Sequence, residues 1–257
     1  MHPMLNIAVR AARAAGNVIT RGFENRNDLL LEKKGENDFV TKIDKEAEKV
    51  IIEKIQQSFP DHSFLGEEGG IVEGSDEFKW IIDPLDGTTN FIKGIPHFAV
   101  SIALMHKGRI DQAVVFDPIR GELFTASKGA GAQLNGFRIR TGKAKDLNNT
   151  VLATAFPFKA KETSDDAIQR FSNIFKQCGD VRRCGSAALD LAYVAAGRYD
   201  GYWERGIKPW DVAAGELLVR ESGGLVTDYK GGNDPLDKGE IVAGNPRIVQ
   251  SLVRHLK

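Results

Sequence analysis

Long hydrophobic runs are missing from this 257-residue chain. Its apolar stretches, such as Phe98–Met105 with Ser101 inside, fall far short of the roughly 20 residues that span a bilayer. No membrane association is expected. An excess of either charge is missing too, because 35 basic side chains face 35 acidic ones. That excludes wholesale electrostatic affinity for nucleic acid or anionic lipid, though not a local patch. Cysteine is scarce: Cys178 and Cys184 make neither a disulfide framework nor a paired zinc knuckle. A reduced, cytoplasmic protein is the reading. Arg10 and Arg13 interrupt the first apolar stretch, so it does not read as a signal-peptide core.

Several catalytic signatures are lacking as well. Gly129-Ala130-Gly131 begins like a dinucleotide fingerprint, but Leu134 stands where the third glycine belongs. No phosphate-binding P-loop exists. Gly185-Ser186 is preceded by Cys184 rather than by the first glycine of a nucleophile elbow. The histidines His2, His62, His97, His106 and His255 are scattered. His97, after Pro96, reads as a polar loop or core-edge residue.

What is present is ordinary globular composition, 42% hydrophobic and 27% charged. Apolar residues at three- and four-residue steps predict helices over 3–22 and 44–59. Trp80–Asp83 reads as a buried strand. Ala99–Met105 and Ile110–Phe116 read as a hairpin around Lys107-Gly108, with Glu122–Ala126 pairing next. Asn135-Gly136 is a tight-turn signal. Helices are expected over 165–177, 186–196 and 211–222, strands over 199–204, 225–228 and 240–243, and a last helix from Pro246. Helices first, then clustered strands, then mixed elements predict a layered α/β sandwich with mixed or antiparallel sheets. The length fits one unit of two packed halves splitting near residue 150.

The informative feature is where acids meet turns. Glu67 and Glu68 lie between Gly66 and Gly69, a pattern that also suits a plain solvated loop. An apolar strand delivers Asp83 to its end, and Pro84 is expected to stop sheet pairing there. Asp86-Gly87 then favours a turn into Thr88, Thr89 and Asn90, possible helix caps. Two carboxylates three residues apart at a buried strand end would repel each other unless a cation sat between them. A hard cation such as Mg²⁺ takes oxygen ligands. Asp83, Asp86, the carbonyl of Leu85 and a glutamate from elsewhere would supply them. Amides after Gly87, at a helix start, would cradle phosphate. Asp211, after Pro209-Trp210, reads as an N-cap and is also placed to close a second metal site. The spacing is not that of phosphatases with an aspartyl nucleophile, so Asp83 and Asp86 read as ligands.

Taken together, three segments resemble the inositol monophosphatase family. They are Gly66-Glu67-Glu68, the run Trp80–Phe91 containing Asp83-Pro84-Leu85-Asp86-Gly87-Thr88-Thr89-Asn90, and Trp210-Asp211-Val212-Ala213-Ala214-Gly215. The likeness extends to Asn37–Asp44 and to Gly185-Ser186-Ala187-Ala188. It implies an α-β-α-β-α sandwich shared with fructose-1,6-bisphosphatase. It also implies Mg²⁺-dependent, lithium-sensitive hydrolysis of phosphate monoesters such as inositol 1-phosphate, and a homodimer. Carried over by residue, Glu67, Asp83, Asp86, Asp211 and the Leu85 carbonyl bind metal. Asp44 and Thr88 position the attacking water, with Glu67 also catalytic. Asp86, Gly87, Thr88, Arg182, Ala187, Glu204 and Asp211 contact substrate. Histidinol phosphate, a nucleotide bisphosphate or a sugar bisphosphate are alternative substrates. Residues 1–10 and 156–160 resemble a bacterial branch of the family, which implies association with RNA polymerase antitermination complexes and ribosomal RNA synthesis. Arg182-Arg183 and Lys159-Ala160-Lys161 are candidate contacts, though solvated surface charge is the better reading of both.

Overall fold

A computed structural model describes residues 2–25, 31–33, 39–156, 164–233 and 235–256. Asn37 and Asp38, and the segment 157–161, lie outside the described residues. Helix α1 (Pro3–Glu24) comes first, then an antiparallel pair, β1 (Leu31–Lys33) and β2 (Phe39–Thr41), and α2 (Lys42–Gln56). The first sheet follows: β3 (His62–Gly66), β4 (Gly70–Val72), β5 (Ser75–Asp86), β6 (Ala99–His106), β7 (Arg109–Asp117), β8 (Glu122–Ser127), β9 (Gly131–Leu134) and β10 (Phe137–Arg138). A short helix, α3 (Thr88–Lys93), separates β5 from β6. The second sheet uses β11 (Val151–Thr154), β12 (Asp180–Arg182), β13 (Gly201–Arg205), β14 (Leu225–Thr227) and β15 (Glu240–Gly244). Around it run α4 (Ser164–Phe175), α5 (Ala187–Ala195), α6 (Pro209–Glu221), α7 (Pro235–Lys238) and α8 (Pro246–Leu256).

The layers follow from which face each residue buries. Side chains alternate across a strand with period two. Trp80 and Ile82 of β5, with Ile102 and Leu104 of β6, pack against the apolar stripe of α1 and α2, including Ala12, Ile19, Ala47 and Ile51. Their neighbours Ile81 and Ala103 face the opposite way, onto α5 and α6. Those two helices are clamped between both sheets, so α5 is buried from Ala188 through Ala195 rather than along one stripe. The outer face of the second sheet buries Leu152, Trp203 and Val242 against Ile248 and Leu252 of α8. The result is an α-β-α-β-α sandwich, as expected. No described helix is long and apolar enough to cross a membrane.

The two predicted turns have the residues their backbone needs. Lys107-Gly108 (φ 51° and 75°) and Asn135-Gly136 (φ 50° and 85°) both hold two successive left-handed residues, as a tight hairpin with the sheet's twist requires.

At Pro84 the structure corrects the sequence. The strand does not stop at Asp83 but runs to Asp86. Asp83 pairs with Ser101 and Asp86 with Ala99, so Pro84 and Leu85 form a bulge. A bulge leaves a residue outside the hydrogen-bond ladder, and proline, with no N–H to donate, fits there. The bulge swings Asp86 out of simple alternation with Asp83. A second correction concerns Thr88, Thr89 and Asn90, which lie within α3. The cap is Gly87 at φ 99°, where a Cβ would meet the His97 carbonyl at 3.0 Å.

Candidate active site

The acids arrive from four directions. Asp44 comes from the first turn of α2, and Glu67 from the turn after β3, where its N–H donates to the Ile82 carbonyl (3.2 Å). Asp83 and Asp86 flank the bulge ending β5. Asp211 lies in the first turn of α6. It is not the N-cap: Lys208 is, with Pro209 next, and Asp211 Oδ2 accepts the Lys208 N–H (2.7 Å). Its carboxylate therefore caps the helix from the third position.

Electrostatics show that these groups share one centre. Glu67 is pushed up to about 8, first by burial and then by Asp211, Glu68, Asp44 and Asp86. Asp83, only 2% exposed, is held well above the carboxylate range by burial, then Glu67, Asp86, Asp211 and Asp44. Asp86 rises to about 7 through burial, opposed by bonds from the Ser186 hydroxyl and the N–H groups of Ala188 and Ala187. Glu204, on β13, is raised to about 8 by burial, against the hydroxyl of Tyr202, with Asp211 and Asp86 adding to the rise.

Local bonds fix the parts. Asp83 Oδ1 accepts the Leu85 N–H (3.0 Å), which shapes the bulge. Thr88 Oγ1 donates to the Leu85 carbonyl (3.0 Å). A hydroxyl carries one proton, so Thr88 can donate to the Asp44 carboxylate only by turning from this acceptor. Asp86 Oδ2 accepts from Ser186 Oγ (2.6 Å) and from the Ala188 N–H (2.7 Å) at the start of α5. A carboxylate is favoured at a helix N-terminus by its exposed amides and dipole. Ala187, expected at the substrate, presents its amide to Asp86.

Arg182 is not brought to the acids. It is exposed on β12 and pairs with Asp180. Arg183 is the arginine whose charge acts on Glu204 and Asp190.

Two residues escaped sequence reasoning. Buried Glu48 accepts the N–H groups of Glu68 (3.0 Å) and Gly69 (2.6 Å), so it holds the turn that presents Glu67. A Cβ on Gly66 would collide with its carboxylate, which explains that glycine. Glu48 lies four residues after Asp44 on the same helix face, the available signal. The other is Ser186, legible as a helix N-cap, whose hydroxyl orients Asp86.

Carboxylates and a carbonyl are hard oxygen donors suited to Mg²⁺, and their mutual repulsion when buried is what a divalent cation relieves. The donor set thus fits the cation. The acids ring the centre loosely: among the described residues no three bring ligand atoms within 4.8 Å of one another, whereas His97, Cys184 and Asp190 do.

Fold and site together define a layered α/β protein of the sugar-phosphatase type. The family model described as the inositol monophosphatase family matches residues 1–257, and the chain belongs to that family. It is 58% identical over 258 residues to Nus factor SuhB of Escherichia coli K12, covering 100% of this chain and 97% of that one. Among solved structures, the extragenic suppressor protein suhB of Bartonella henselae superposes with a TM-score of 0.97 at 44% identity, covering 100% of this chain and 99% of that one. An inositol monophosphatase from Anabaena gives a TM-score of 0.88 at 42% identity, covering 98% and 94%. The likeness to a bacterial branch of the family, read from residues 1–10 and 156–160, is thus to SuhB. Family membership supports a phosphatase.

Proposed function

We propose that the chain is a Mg²⁺-dependent phosphomonoesterase that converts inositol 1-phosphate and water to myo-inositol and phosphate. The observation that carries this reading is the convergence of Asp44, Glu67, Asp83, Asp86 and Asp211, with mutual charge repulsion. Glu67, Asp83, Asp86, Asp211 and Leu85 O would hold the cation. When bound, Mg²⁺ supplies Lewis acidity that activates water and offsets charge on the leaving oxygen. The chain's own residues do the rest. Thr88 orients water towards phosphorus and, once its hydroxyl turns from the Leu85 carbonyl, passes its own proton to the Asp44 carboxylate as it takes one from the water. The amides of Gly87 and Thr88, opening α3, face the nonbridging oxygens. Glu204 and the Ala187 region hold the alcohol's hydroxyls. Arg183 replaces Arg182 as the cation at the rim. Phosphate release from inositol 1-phosphate, histidinol phosphate and a sugar bisphosphate, each with a lithium control, tests the substrate. Preference for either alternative would overturn the inositol assignment while keeping the metal site.

A second reading is favoured by one observation, the name Nus factor SuhB carried by a relative 58% identical along the whole chain. It makes the protein a partner of RNA polymerase antitermination complexes in the cytoplasm. An Asp83→Asn variant that restores ribosomal RNA synthesis in a deletion strain supports this role, and a failure to do so places the cellular role in catalysis. A homodimer, and two packed halves meeting near residue 150, complete the proposal. The second is supported by sheets that use residues 62–138 and 151–244 separately.

A further inference from the structure

Beyond the acid centre, a ring nitrogen of His97, the Cys184 sulfur and an Asp190 carboxylate oxygen all lie within 4.8 Å of one another. The three come from separate places: the loop after α3, the loop after β12, and the first turn of α5. Asp190 is 1% exposed, and its Oδ1 makes no hydrogen bond; neither does the buried Nε2 of His97. Buried polar atoms without partners are rare and ask for an explanation, and an ion is one. The backbone around them is held firmly. Asn90 Nδ2 donates to both the His97 carbonyl (2.8 Å) and the Cys184 carbonyl (2.8 Å), tying the two ligand-bearing loops to one amide. Tyr199 Oη lies 3.6 Å from the Cys184 sulfur, near enough to orient a thiolate.

We propose that His97, Cys184 and Asp190 form a second cation site, selective for a thiophilic divalent ion of the Zn²⁺ type. One nitrogen, one sulfur and one oxygen, with water in a fourth position, is a zinc-like donor set. Thiolate and imidazole reject Mg²⁺, which prefers oxygen alone. Tetrahedral ligation at Zn–ligand lengths of 2.0–2.3 Å puts ligand atoms about 3.5 Å apart, so modest side-chain rotation closes the site. Occupancy would pin the loop at His97 to the segment 184–190. That same segment supplies Ser186 and Ala188 to Asp86, so the ion would brace the acid centre without joining it.

The full chain carrying Cys178→Ser, reduced and saturated with Mg²⁺, is titrated with Co²⁺. The expected result is one equivalent bound with a near-ultraviolet thiolate-to-cobalt charge-transfer band, displaced by Zn²⁺. Adding Cys184→Ser abolishes the band, and His97→Gln or Asp190→Asn moves its midpoint to higher Co²⁺. Adding Asp83→Asn leaves the band in place, so a fault in the phosphatase reading would not affect it. Absence of the band from protein with native circular dichroism, its survival in Cys184→Ser, or its loss in Asp83→Asn overturns the proposal.

Discussion

The acid centre and the His97–Cys184–Asp190 group share a boundary, the segment 184–190, yet they differ in chemistry and in form. One is built from carboxylates and a carbonyl on four elements, and its members repel one another. The other mixes nitrogen, sulfur and oxygen in a tighter, partly unsatisfied cluster. Ligand hardness separates them: oxygen sets take Mg²⁺, mixed sets take softer ions. Substitutions should therefore sort cleanly between the two.

Asp83→Asn should have the largest effect. Losing a ligand of the proposed cation would remove several kcal/mol of charge stabilisation, at about tenfold per 1.4 kcal/mol, or roughly 10³-fold in kcat/KM. The asparagine Oδ1 still accepts the Leu85 N–H, so the thermal unfolding midpoint should hardly move. A large drop in that midpoint would mean that Asp83 is structural.

Glu48→Ala comes next. It strips two backbone N–H groups of a buried acceptor, which costs about 1–3 kcal/mol in denaturant unfolding. Because Glu48 sets the Glu67 turn, Mg²⁺ affinity should fall along with stability. Unchanged affinity would detach Glu48 from the site. Ser186→Ala should be milder, weakening Mg²⁺ binding by about 10-fold, the low end for a residue that orients a ligand, as read by calorimetry. The charge-transfer band of the other cluster should survive it.

The pH response is the smallest and the most diagnostic. Glu67 holds its proton more tightly when folded, with its value raised from 4.5 to about 8. Its contribution to stability is full below pH 4.5 and is lost as pH rises through about 8. Chelator-treated protein should therefore unfold at a falling temperature from pH 5 to pH 8. Added Mg²⁺ should restore more at pH 8 than at pH 5. An opposite trend would separate Glu67 from the charge cluster.

Asp83 and Asp86 were legible because they sit in a recognisable turn sequence, whereas Glu67 and Asp211 alone read as loop and cap, and Asp44 entered only through the family resemblance. The tight turns at Lys107-Gly108 and Asn135-Gly136 were legible as turns, since few residues adopt left-handed backbone. The bulge was not: proline at a strand end signals a stop unless the partner strand's register is known. Glu48 reads as any surface glutamate until the turn it caps folds over it. Strands β11 and β12, at four and three residues, carry too little pattern to stand out. Arg182 and Arg183 are neighbours, and only the strand's orientation decides which one faces the acids. His97 and Cys184 looked unremarkable because their spacing in sequence, 87 positions, encodes nothing about their meeting in space.

The converging carboxylates are proposed to form a Mg²⁺-dependent phosphate-ester site. Its most direct test is phosphate release from myo-inositol 1-phosphate by chelator-treated protein as Mg²⁺ is added back, alongside Asp83→Asn. Release that rises from background with Mg²⁺ in the native sequence and stays at background in the folded variant is the predicted result. Release without added cation, or undiminished release by Asp83→Asn, would show that these carboxylates do not form such a site.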